Sequence, residues 1–182
     1  MWLEEGFLIV ALNNLKILAG GIQNAYLNAR TKEKKHFYSG DEWKSNKSKA
    51  IIISRALYGL KSSALVWLNH LADILGNKLK FKSSLSDPDL WYKEMISVDR
   101  TEYYAYILVY VDNILILDKN PEQFMKILKQ GYTAKSGSIG KPKTFSGAGI
   151  SKVLYSDRSY AWLMSSSNYV TEVLRNIKKE LA

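Results

Sequence analysis

Tyr104-Ala105-Tyr106-Ile107-Leu108-Val109, then Tyr110-Val111-Asp112-Asn113, then Ile114-Leu115-Ile116-Leu117 is the stretch that decides the fold. Two apolar, β-branched and aromatic runs flank a short polar tetrapeptide. Such residues fit a pleated, buried surface, and the polar break between them reads as a turn. The stretch from Tyr103 to Leu117 is therefore expected to be a β-hairpin with the Asp112 carboxylate at its tip. One aspartate on a hairpin is ordinarily a turn residue, because its side chain bonds the nearby backbone.

Outward from the hairpin the periodicity alternates between strand and helix. Leu90–Met95 reads as a neighbouring strand, with Asp87-Pro88-Asp89 as the turn before it, since proline disfavours helix in the residue that precedes it. Pro121 is placed to start a helix with Phe124, Ile127 and Leu128 on its inner face. Gly131–Lys143 reads as loop. Thr144–Leu154 and Ser159–Met164 read as a second hairpin, and Asn168–Leu181 as a last helix. Upstream, Glu5–Leu15 reads as helix, Leu15–Ala19 as a short strand and Gly20-Gly21 as its interruption. Gln23–Ala29 suits either a helical turn or an irregular bend. Arg30–Ser48 is polar, either loop or short hairpin, and Ala50–Ser54 is a strand. Ala64–Leu79 reads as a helix, with Leu65, Leu68, Leu71, Leu75 and Leu79 at helical spacing and Ser62 or Ser63 as N-cap. The class is α+β with a mainly antiparallel sheet.

The chain has 182 residues, 47% of them hydrophobic, which suffices for a buried core. It has no cysteine, so disulfides and cysteine-based zinc sites are excluded. No apolar run reaches about 18 residues, so no membrane span is expected. The N-terminus begins acidic, unlike a signal peptide, and the default location is intracellular. The net charge of +9 is clustered. Arg30 to Lys61 holds nine Lys/Arg against three Asp/Glu, and Lys119 to Lys143 holds six Lys against one Glu. Basic blocks in a chain with five Trp and twelve Tyr suit a nucleic-acid partner. The same composition equally describes a solvated surface over an aromatic core.

Six blocks of sequence narrow the reading. They are Ala11–Asn13, Ile22–Ala29 (Ile-Gln-Asn-Ala-Tyr-Leu-Asn-Ala), Arg55–Ser63 (Arg-Ala-Leu-Tyr-Gly-Leu-Lys-Ser-Ser), Ser86–Trp91 (Ser-Asp-Pro-Asp-Leu-Trp), Leu108–Asp112 (Leu-Val-Tyr-Val-Asp) and Phe145–Ile150 (Phe-Ser-Gly-Ala-Gly-Ile). In this order and over nearly the whole length, the chain resembles the reverse transcriptase domain of copia-type retrotransposons.

That resemblance implies a single domain over residues 1–182. It would be the palm of a right-hand polymerase, an antiparallel sheet backed by helices, with partial fingers. Upstream fingers, integrase and ribonuclease H regions would be absent, as in a truncated copy. The implied activity is RNA-directed DNA polymerisation, a two-metal nucleotidyl transfer with Mg2+ as cofactor. The implied partners are an RNA template, a DNA primer and deoxynucleotides. Carboxylates would hold the metal, because magnesium is a hard ion that takes oxygen ligands.

The family's three catalytic aspartates fall at Gly21, Asp112 and Asn113. Only Asp112 keeps its carboxylate and would be the metal ligand. Glycine offers no ligand, and an asparagine oxygen adds no charge. The resemblance therefore implies a degenerate, inactive copy, the alternative being a non-catalytic nucleic-acid-binding remnant. On the nucleotide side it implies Tyr26 as a sugar gate, with Tyr110, Gly59 and Lys61. On the primer side it implies Phe145 and Gly147. The plainer readings are a core tyrosine for Tyr26 and a solvated charge for Lys61. Ser146 departs from the apolar residue usual at its position. Asp87 and Asp89 read as turn and cap groups, and His36 and His70 are assigned no role.

Overall fold

The computed structural model describes residues 2–145, 147–156 and 160–180; Ser146, Ser159 and Leu181 of the sequence reading lie outside them. In chain order the elements are α1 (Trp2–Leu12), β1 (Lys16–Gly21), a 3-10 turn (Ala25–Asn28), β2 (His36–Tyr38), a kinked 3-10 segment (Asp41–Asn46) and β3 (Ala50–Ile52). They continue with α2 (Ser63–Asp73), a π turn (Ile74–Lys78), β4 (Lys82–Ser83), β5 (Leu90–Ile96), β6 (Glu102–Tyr110) and β7 (Asn113–Asp118). The last are α3 (Glu122–Gly131), β8 (Thr144–Phe145), β9 (Ala148–Leu154), β10 (Tyr160–Ser165) and α4 (Ser167–Glu180). Two compact units result, one of Met1–Ile22 with Phe81–Ala182, the other of Gln23–Lys80. The chain is α+β, with a five-stranded antiparallel sheet and helices.

That sheet has the order β1-β7-β6-β5-β4 and belongs to the first unit. Its β7 is buried from Ile114 to Asp118, as expected of a strand covered on both faces. Leu115 and Leu117 join Phe7, Val10, Leu15, Ile17 and Leu108 in one core. α1 packs over this core, and a Cβ at Gly6 would make ordinary contact with Leu108 and Leu117 at 3.6 Å. Phe7 stacks on Trp162 of β10 at 5.3 Å, tying in the three-stranded sheet β10-β9-β8. On the opposite face Ile114 lines a small apolar pocket with Met125 and Leu128 of α3, and Phe81 meets Phe124 edge-on at 5.0 Å.

α1 ends earlier than the apolar run predicts, because Asn14 adopts a left-handed φ of 50°. The Leu15 amide then bonds back to the Val10 carbonyl at 3.0 Å, closing the helix and releasing β1 one residue on. β1 runs through Gly20 and Gly21 rather than stopping before them. On α3, Met125 and not Ile127 joins Phe124 and Leu128 inside. The apolar side of α4 is largely exposed at Tyr169, Val170, Leu174 and Ile177.

Asp118 ends β7 with its carboxylate fully buried. It accepts bonds from the Tyr103 hydroxyl (2.9 Å), the Asn120 amide (2.8 Å) and Gln123 Nε2 (2.9 Å), fixing the passage from β7 into α3. Burial, and then the bond to Asp118, push the Tyr103 hydroxyl up to about 12 from 10.0. A proton held more tightly in the folded state stabilises it below the unfolded value, and that contribution disappears as pH rises through the folded one. Stability is thus expected to fall between pH 10 and about 12. Denaturant titrations should show Tyr103→Phe flattening this fall; an identical slope in the variant would refute the assignment.

The second unit holds α2 and the ribbon β2–β3; of the two readings of the polar stretch 30–48, loop or short hairpin, it supplies one strand of a hairpin whose other strand is β3. The apolar stripe of α2 and its π turn is Trp67, Leu71, Ile74, Leu75 and Leu79. Leu65 and Leu68, expected inside, are 62% and 38% exposed, because the buried stripe runs through Trp67 instead. Ser62 stands at the N-cap position without capping by its side chain. Its hydroxyl and amide bind the Glu33 carboxylate instead, and that hydroxyl above all lowers the Glu33 pKa. Asp87 does serve the turn before β5, its carboxylate accepting the Asp89 amide at 2.8 Å.

Candidate functional site

The β6–β7 hairpin closes with Tyr110 opposite Asn113, leaving Val111 and Asp112 as a two-residue turn. Val111 adopts φ 55°. A β-branched residue rarely takes that conformation, and such outliers mark positions the surrounding structure imposes. The turn projects Asp112 at the end of two rigid strands. Tyr110 is half-exposed beside it, its ring 6.4 Å from that of Phe145. Gly147 sits in the turn between β8 and β9 with φ 81°, a conformation open to glycine.

The strand β1 brings the second part of the site. It runs antiparallel to β7 with Gly21 directly opposite Asn113. The Ile22 amide donates to the Asp112 carbonyl at 2.7 Å, locking the end of β1 to the hairpin tip. A Cβ built on Gly21 would lie 3.6 Å from Asn113 Oδ1. Positions 21, 112 and 113 therefore share one place.

The two glycines of β1 differ. At Gly20 a Cβ would meet the Met125 methyl at 2.6 Å, so Met125 fills that side-chain space. At Gly21 the nearest atom is Lys135 Cδ at 3.1 Å, the end portion of a flexible chain. Both neighbours are flexible side chains, and position 21 asks for the smaller displacement.

A third segment, read from sequence only as loop, completes the site. The Lys135 amide donates to the Gly21 carbonyl at 2.8 Å, and Ser138 Oγ accepts the Gly21 amide at 3.0 Å. Isolated bridges pair Ile22 with Ala134 and Ala19 with Gly140, so this segment lies along the free edge of β1. The Lys135 ammonium forms an ion pair with the Asp112 carboxylate. Asp112 is the more enclosed partner, 16% exposed against 47% for Lys135. Neither Lys135 nor Ser138 stands out in the sequence, because single residues that pair with a strand edge leave no periodic trace.

Could these residues hold magnesium? A pair of dications needs several converging carboxylates. Here one carboxylate converges, the neighbouring oxygen donor is an uncharged amide, and position 21 supplies nothing. The carboxylate already faces a cation. Among the described residues no group of three or more His, Cys, Asp or Glu gathers into a metal site. The residues present do not fit a two-metal centre.

Tyr26, Gly59 and Lys61 belong to the second unit. Tyr26 stands on the 3-10 turn and its ring lies against that of Tyr58, 4.6 Å away and tilted by 40°. Gly59 follows with φ 93° and open space around it, consistent with a turn that only glycine makes easily. Lys61 is exposed. The same unit carries a basic groove of about 770 Å³, lined among others by Arg30, Lys32, Lys34, Lys35 and Arg55. No helix is long and apolar enough to cross a membrane among the described residues. No protein-family model matches the chain.

Proposed function

We propose that this chain is the palm, with partial fingers, of a copia-type reverse transcriptase that no longer polymerises. In ancestry its reaction is RNA-directed synthesis of DNA from deoxynucleotides on a primed template. The observation that carries this reading is the pairing of Gly21 with Asn113 beside the Asp112 turn. Two distant stretches that the family resemblance picks, Gly21 and the adjacent pair Asp112-Asn113, fall together at one end of an antiparallel sheet. Chance similarity gives no reason for that convergence. Tyr110 and Phe145, assigned to the nucleotide and primer sides, also flank this end.

The lost activity follows from charge. A carboxylate neutralised by Lys135 cannot draw in a dication as three free carboxylates would. Purified protein is expected to extend no primer on an RNA template, with either magnesium or manganese. Robust extension would contradict the proposal.

A second reading is a nucleic-acid-binding remnant without catalysis, and the basic groove of the Gln23–Lys80 unit favours it. Phe37, Tyr38 and Trp43 of that unit are exposed and offer stacking surfaces. Binding driven by phosphates would weaken steeply with salt, by about 0.7 log units per tenfold rise in salt for each phosphate neutralised on a single strand.

A further inference from the structure

A cleft of about 630 Å³ opens beside the hairpin tip, within the first unit. Gly21, Asn113, Ser138, Lys141, Lys143 and Phe145 are among the residues that line it. Among the described residues no acidic one lines it, and Asp112 is held by Lys135. Lys141 and Lys143 are exposed, and neither has an acidic partner among the described residues. The floor is open backbone: a Cβ added at Gly137 or Gly140 would meet nothing within 4 Å. Hydrogen-bond capacity is also present in the Asn113 amide, whereas the Ser138 hydroxyl is engaged by the Gly21 amide and the Lys135 carbonyl.

These features add up to a sign. Aspartates at positions 21 and 113 would cancel the two lysines and leave the cleft neutral. Glycine and asparagine there leave a cleft with two positive charges and a donor amide. We propose that this cleft is a metal-independent phosphate site, which binds the oxyanion directly through Lys141, Lys143 and Asn113. The inference rests on the charge of the cleft and not on the polymerase reading, so either can fail alone. The phosphate could belong to a small molecule or to a nucleic-acid strand, and the chemistry that recognises it is the same.

The test is calorimetric titration of the full chain with pyrophosphate in excess EDTA. Saturable binding is expected. Lys141→Gln and Lys143→Gln should each weaken it about fivefold, and Asn113→Asp about tenfold, as expected for one charge removed or one like charge added at close range. Asn113→Asp is the decisive variant, because it keeps the shape and reverses only the preference. Metal-mediated binding would respond in the opposite sense. Absence of saturable binding, binding that requires magnesium, or equal or tighter binding by Asn113→Asp in EDTA would overturn the proposal. If circular dichroism shows Asn113→Asp to be misfolded, the two exposed lysine variants decide, and unchanged affinity in both overturns it. A single-stranded oligothymidylate that displaces pyrophosphate would identify strand phosphates as a source of the ligand. Failure to displace it would assign the site to free phosphates.

Discussion

Asp118→Ala is expected to destabilise the protein by about 3 kcal/mol, the scale of losing several hydrogen bonds to one buried carboxylate. Three donors converge on this carboxylate: the Tyr103 hydroxyl, the Asn120 amide and Gln123 Nε2. Each comes from a different element or turn, so the carboxylate joins β6, the end of β7 and the start of α3. Removing it strands all three donors and leaves a void at a position with no solvent exposure. Part of the loss is offset, since burying a charge is itself costly. Asp118→Asn should cost less, about 1–2 kcal/mol, because the amide keeps one acceptor but turns a donor toward other donors. Urea titrations measure both. An Asp118→Ala variant within about 0.5 kcal/mol of the parent, the range of ordinary surface changes, would show that the three bonds do not hold this corner. The corner matters to the candidate site because α3 leads directly into the segment that carries Lys135 and Ser138.

The hairpin was legible because its strands are continuous apolar runs, and β7 is covered on both faces. Asp112 was legible as the polar break between them. The placement of Gly21 opposite Asn113 is not visible in periodicity, because the register of β1 on β7 that sets it is a long-range pairing. Other features escaped for physical reasons. Periodicity on the 64–79 helix admits two neighbouring stripes, and the large Trp67 ring selects the one that leaves Leu65 exposed. The segment 131–143 has no repeating pattern, because it touches β1 through isolated bridges at Ala134 and Gly140. Lys135 therefore looked like one of many surface lysines, although it supplies the counter-charge of the site. Asp118 carries no signal in the sequence, because its burial depends on donors from Tyr103, Asn120 and Gln123 meeting there in the fold.

The larger expected effect concerns the carboxylates that the proposed ancestry places at positions 21 and 113. Introducing both, Gly21→Asp with Asn113→Asp, should raise affinity for a divalent cation by about a hundredfold or more, because two charges are added where one already stands. The geometry permits it. A Cβ at position 21 asks Lys135 Cδ, 3.1 Å away, to give by a few tenths of an ångström, and Lys135 is flexible and half-exposed. The new carboxylate would lie beside position 113 and join Asp112 around a common centre. Lys135 would then have to leave Asp112, and that displacement limits each single substitution more than the pair.

The most direct measurement is a manganese titration, followed by electron paramagnetic resonance, of the parent, the two single variants and the double variant. A shared site requires the double variant to exceed the product of the single effects by about tenfold or more, a coupling of about 1.4 kcal/mol. Single effects that simply multiply would mean that positions 21 and 113 bind metal independently, and the proposed ancestral centre would be contradicted.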